Sequence, residues 1–77
     1  MMSQPAKIAV FRTTRAVIKA DAACKETGVP VRVIAVPPNI SSDCGMCLQI
    51  TENQISDFIS LMESLNIEIK IYDYNFL

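Results

Sequence analysis

The sequence predicts an α/β domain of the α+β kind, with four strands and two helices in one small layered unit. Three observations carry that prediction. Two stretches show apolar residues at helical spacing behind a capping residue. Four short apolar or alternating runs flank them. The order is strand–helix–strand–strand–helix–strand, and 77 residues allow only one core. The economical packing is an antiparallel four-stranded sheet with both helices on one face, the ferredoxin-like βαββαβ arrangement. Residues 1–77 form a single domain in this reading, with no repeat or low-complexity tract.

Each element has its own signal. Ile8-Ala9-Val10-Phe11, between Lys7 and Arg12, suits a central strand buried on both faces. Thr13 or Thr14 supplies a hydroxyl N-cap for a helix over 13–27. Ala16, Val17, Ala20, Ala23 and Cys24 then share one face, and Gly28 stands where a left-handed residue ends a helix. The second strand is Val31-Arg32-Val33-Ile34-Ala35-Val36, stopped by Pro37-Pro38 because proline cannot donate to a ladder. The polar segment 39–45 reads as a turn, followed by a third strand, Met46-Cys47-Leu48-Gln49-Ile50. Thr51-Glu52-Asn53-Gln54 matches a capping box for a helix over 52–65, striped by Ile55, Phe58, Ile59, Met62 and Leu65. Ile67, Ile69 and Ile71 alternate with Glu68, Lys70 and Tyr72 in a fourth strand with one buried face.

Composition narrows the function. The formal charge is −1, with both signs spread along the chain, so no basic stripe invites nucleic acid. Two glycines, Gly28 and Gly45, cannot build a glycine-rich phosphate cradle. The apolar run 8–11 is too brief for a signal core or a membrane span. Three cysteines, an odd and sparse set, point to a cytoplasmic protein with reduced thiols rather than a disulfide scaffold.

The chain contains no histidine, hence no imidazole base and no imidazole metal ligand. Its most capable nucleophile at neutral pH is a thiolate, and Ser41-Ser42-Asp43-Cys44-Gly45-Met46-Cys47 places two thiols on one loop. That pair fits a redox couple, half of a metal site shared with another chain, or a thiol carrying sulfur or selenium as a persulfide-type adduct. The plain structural alternative makes Cys44 a turn residue and Cys47 a core residue. A thioredoxin-type site fits poorly, since such a motif opens a helix and here Leu48-Gln49-Ile50 intervenes. Three cysteines cannot close a four-ligand zinc site, and Cys24 faces the core, so neither a metal nor a cofactor is expected.

Topology brings further residues toward the thiols. The first two strands run parallel, so the loop after the second emerges beside the start of the first helix. Thr13, Thr14, Arg15 and the helix N–H groups there would favour a thiolate, while Asp43 opposes it. Ser41 and Ser42 are candidate donors to an anionic sulfur, against the plain reading that they build the turn. Arg12, Arg15 and Arg32 are candidate anion partners, against the plain reading of solvated charges. Met46, Met62, Tyr72, Tyr74 and Phe76 read as packing residues or partner contacts.

Thr13-Thr14-x-Ala16, Gly28-Val29-Pro30-Val31-Arg32-Val33-Ile34 and the stretch 37–45 ending Ser-Ser-Asp-Cys-Gly together resemble the small bacterial selenium/sulfur-carrier-like family. The resemblance spans about residues 7–72, and Ser-Ser-x-Cys-Gly is its most specific part. It implies Cys44 as the functional cysteine, with Gly45 letting a partner approach the sulfur closely. The chain departs from the family at Cys47, where a small residue such as alanine is expected.

The leading expectation is a carrier that accepts sulfur or selenium on Cys44, with Cys47 as a resolving thiol if it acts at all. Its partners would be sulfur or selenium donor and acceptor proteins, and it would relay an atom rather than turn over a substrate. The alternative is a binding or regulatory module docking through the open sheet face, as a homodimer or onto another chain.

Overall fold

The structure is a computed structural model in which residues 6–38, 40 and 45–73 are described. The chain runs β1 (Ala6–Phe11), α1 (Thr14–Thr27), β2 (Arg32–Ala35), β3 (Met46–Thr51), a 3-10 turn (Glu52–Gln54), α2 (Ile55–Ser64) and β4 (Ile69–Asp73). The strands form one sheet in the order β2-β3-β1-β4, with every neighbouring pair antiparallel. This is the ferredoxin-like α+β fold. β1 is a central strand, paired with β3 on one side (Val10 opposite Cys47) and β4 on the other (Phe11 opposite Ile69). Its run of four apolar residues follows from that place, and Ile8, Ala9, Val10 and Phe11 are all buried.

Strand alternation divides those residues between two clusters. Ala9, Phe11, Leu48 and Ile50 meet Val17, Ala20 and Cys24 of α1 and Phe58 and Met62 of α2 in the main core. On the other face Ile8, Val10 and Cys47 form a second cluster, packed by Ile34, Val36, Ile40 and Tyr72. The open sheet face therefore fills its own centre. The bare apolar surface that motivates the docking alternative is smaller than the strand pattern implies.

Local chemistry fixes the helix ends. Thr13 is the N-cap of α1: extended, with Oγ1 accepting from the Ala16 N–H at 3.1 Å. Both helices finish with a left-handed residue, Gly28 (φ 84°) after α1 and Asn66 (φ 58°) after α2. Beyond each, a backbone N–H reaches back to a carbonyl of the last turn: Val29 to Cys24 at 2.9 Å, Ile67 to Met62 at 3.0 Å. Val29 and Ile67 also pack on the main core, which aims the chain toward the following edge strand. Thr13→Ala is expected to cost about 1 kcal/mol by removing the cap. Urea unfolding checks this: the midpoint should fall and the slope should stay unchanged.

Three boundaries depart from expectation. Thr51 makes no side-chain cap bond and Gln54 does not complete a capping box. Thr51 is instead the last residue of β3, opposite Ala6, and a 3-10 turn intervenes, closed by the Ile55 N–H on the Glu52 carbonyl. Regular α-helix thus begins at Ile55, three residues later than expected. β2 is shorter than the run 31–36. β4 starts at Ile69, because Ile67 is engaged in ending α2.

Candidate functional site

The end of the sheet where β1 stops holds the start of α1 and the neck of the β2–β3 connection. Phe11 hands the chain through Arg12 and Thr13 into α1, and β2 ends at Ala35 directly opposite Met46 of β3. One rung further, the Val36 N–H donates to the Gly45 carbonyl at 3.2 Å and closes the neck of the β2–β3 connection. Because Cys47 stands opposite Val10, that neck emerges at the same end as the start of α1. Gly45 has φ 74°, a left-handed conformation in which any side chain would be strained. Ser41, Ser42 and Cys44, with Asp43, fall outside the described residues.

Beyond the neck, the Ile40 N–H bonds the Pro37 carbonyl at 3.0 Å, a tight turn after Pro37-Pro38. Ile40 is half-buried and packs on Ile8, Val10 and Cys47. Val36 and Ile40 thus pack as a strap over the sheet face away from the helices. The sequence reading of 39–45 as a polar turn missed this anchor. Its signal was Ile40 itself, the one large apolar residue in a polar segment.

The cysteines occupy different surroundings. Cys47 is fully buried in the second cluster, with Sγ 4.0 Å from the Ala35 carbonyl oxygen. It lies beneath the strap rather than on the loop surface. Cys24 is fully buried on α1 within the main core. Burial pushes its thiol pKa up, and the Asp21 carboxylate adds to the effect. Its burial is as expected, and a core thiol of this kind should be unreactive. Native protein should resist alkylation at Cys24, and mass mapping after brief treatment with a thiol reagent checks it. The raised pKa also has a sign in stability. The unfolded chain loses this proton first, so the contribution is complete below the ordinary thiol value of 9.0. It is lost as pH climbs through the higher folded value. Wild type should therefore lose stability in that alkaline window, and Cys24→Ala should lose less of it.

The cationic candidates differ in availability. Arg12 is paired with Glu68, at 2.8 Å, on the segment leading into β4. That hydrogen bond and charge hold the guanidinium pKa above its ordinary value. Arg15 is exposed in the first turn of α1 and forms no ion pair with a described residue. Arg32 lies on β2, opposite Gln49 and away from this end. Thr13 and Thr14 are exposed, and Thr13 already uses its hydroxyl oxygen as the helix cap. The structure therefore brings Thr13, Thr14, Arg15 and Gly45 to one end of the sheet and sets Cys47 behind the strap. Met62 is buried, Met46 and Tyr72 are half-buried, and Tyr74 and Phe76 lie outside the described residues.

Among the described residues no three His, Cys, Asp or Glu side chains group as metal ligands. No helix among them is long and apolar enough to cross a membrane. No curated protein and no solved structure matches the chain. A family model does match, across residues 7–73 and so across all the described strands and helices except the first residue of β1. By that match the chain belongs to the family described as "Putative Se/S carrier protein-like".

Proposed function

We propose that the protein carries sulfur or selenium between partner proteins in the cytoplasm and that Cys44 is the accepting thiolate. One observation supports Cys44 above the other thiols: Cys24 and Cys47 have no exposed surface. Neither can meet a donor protein without rearrangement, which leaves Cys44 as the thiol to test.

The chemistry is a persulfide exchange. The Cys44 thiolate attacks the terminal sulfur of a donor's cysteine persulfide. A new S–S bond forms to Cys44 as the donor's S–S bond breaks, and the electron pair leaves on the donor thiolate. Nothing is oxidised overall, so neither metal nor cofactor is required. A selenium adduct would form by the same displacement. Ser41, Ser42 and the first turn of α1 at Thr13, Thr14 and Arg15 would hold the anionic sulfur, with Gly45 sparing the approach any side chain. A resolving role for Cys47 would require the packing of Val36 and Ile40 over it to open. The protein relays an atom and is not an enzyme in the turnover sense. The docking alternative has less support, because the chain fills the centre of its own open sheet face.

Whole-protein mass after incubation with a cysteine desulfurase and cysteine tests the proposal. The expected result is a gain of one sulfur atom, removed by a reducing agent and mapped to Cys44. Absence of any gain would sink it.

A further inference from the structure

The two helices carry opposite charge. Arg15, Lys19 and Lys25 lie on α1 with Asp21 and Glu26, whereas the 3-10 turn and α2 carry Glu52, Asp57 and Glu63 and no Lys or Arg. Lys25 is held by Asp21 at 3.0 Å. Arg15 and Lys19 form no ion pair among the described residues. Arg15, Ile18, Lys19 and Ala22 recur at spacings of three and four, so they line one side of α1. All four are exposed, while Val17, Ala20 and Cys24 are buried against the core. Ile18 is 61% exposed, more than any other large hydrophobic described.

A lone exposed isoleucine needs no explanation. Ile18 stands between two cations with no ion pair among the described residues, on a stripe whose first turn lies at the sheet end where the neck of the Cys44 connection emerges. We propose that this stripe is the docking face for the protein that exchanges sulfur with the carrier, and that the partner's surface is acidic with an apolar centre. The proposal rests on the carrier reading. An acidic partner is repelled by α2 and drawn to α1, which orients it before contact. Ile18 then supplies the desolvated centre and the cations supply the rim. A second copy of the chain is a poorer occupant. Its acidic helix exposes Ser56, Asp57, Ser60, Glu63 and Ser64, with no large apolar residue to meet Ile18.

The test compares a protein donor with a chemical one. The full chain is loaded from a persulfidated cysteine desulfurase and, separately, from inorganic polysulfide, with mass as the readout. The variants are Ile18→Glu with Lys19→Glu, and Lys70→Glu as an exposed charge reversal elsewhere, on β4. Circular dichroism checks that both fold. The expected result is loading from the desulfurase slowed about tenfold or more in the double variant. Polysulfide loading should be unchanged, Lys70→Glu should behave as wild type, and salt should slow the wild-type protein transfer. Wild-type transfer in the double variant, or equal slowing by Lys70→Glu, overturns the docking face. If neither donor loads wild type, the carrier reading fails and the docking face falls with it. If polysulfide alone loads wild type, the thiol accepts sulfur but the desulfurase-facing role of α1 is overturned.

Discussion

Phe58→Ala is expected to leave much of the chain unfolded at physiological temperature. Phe58 is fully buried and the largest such side chain described, packed where α2 meets the sheet and α1. Truncating a buried phenylalanine costs about 3–5 kcal/mol, part lost transfer energy and part residual cavity. A domain of 77 residues has a total stability of roughly 4–12 kcal/mol at ordinary values per residue. The substitution therefore removes a large share of the whole. For a chain this small, each kcal/mol moves the thermal midpoint by about 4–8 °C, so the fall should be tens of degrees. Thermal unfolding followed by circular dichroism measures it. A midpoint within a few degrees of wild type would mean that the main core does not hinge on this residue. Ile18→Ala is the surface counterpart and should stay within about 0.5 kcal/mol.

The burial of Phe58 was legible in the sequence. Phe58 sits on an apolar stripe at helical spacing, and the four apolar residues of β1 mark a strand covered on both faces. The Thr13 cap and the Gly28 stop were legible for the same reason, since both act through bonds to residues a few positions away. Features set by distant packing were not. Thr51 reads as a helix cap from its neighbours alone, but its pairing with Ala6 belongs to the sheet register. Ile40 looks incidental in a polar turn until the sheet supplies Ile8, Val10 and Cys47 for it to cover. The Cys-x-x-Cys spacing presents two equivalent thiols. The fold sets Cys47 apart as a core thiol, because strand alternation turns it away from the helices and Val36 and Ile40 pack over it.

Cys44→Ser is expected to abolish sulfur loading, and Cys47→Ala to leave it intact. Serine preserves the size of the side chain but not its chemistry. Its hydroxyl is not ionised near neutral pH and lacks the soft, polarizable sulfur that attacks a persulfide. No compensating thiol is at hand, since Cys24 lies in the main core and Cys47 beneath the strap. Cys47→Ala removes one buried sulfur, and the small cavity left should cost on the order of 1 kcal/mol without touching the accepting atom. Alanine is the better probe there, because serine would bury a hydroxyl among Ile8, Val10 and Ile34. The pair is read by mass after incubation with desulfurase and cysteine, with polysulfide as the chemical donor. Full loading in Cys44→Ser would place the sulfur on another cysteine and overturn the assignment. Loss of loading in a folded Cys47→Ala would do so from the other side: the buried thiol would be the acceptor, and the strap of Val36 and Ile40 would have to open before any donor could reach it.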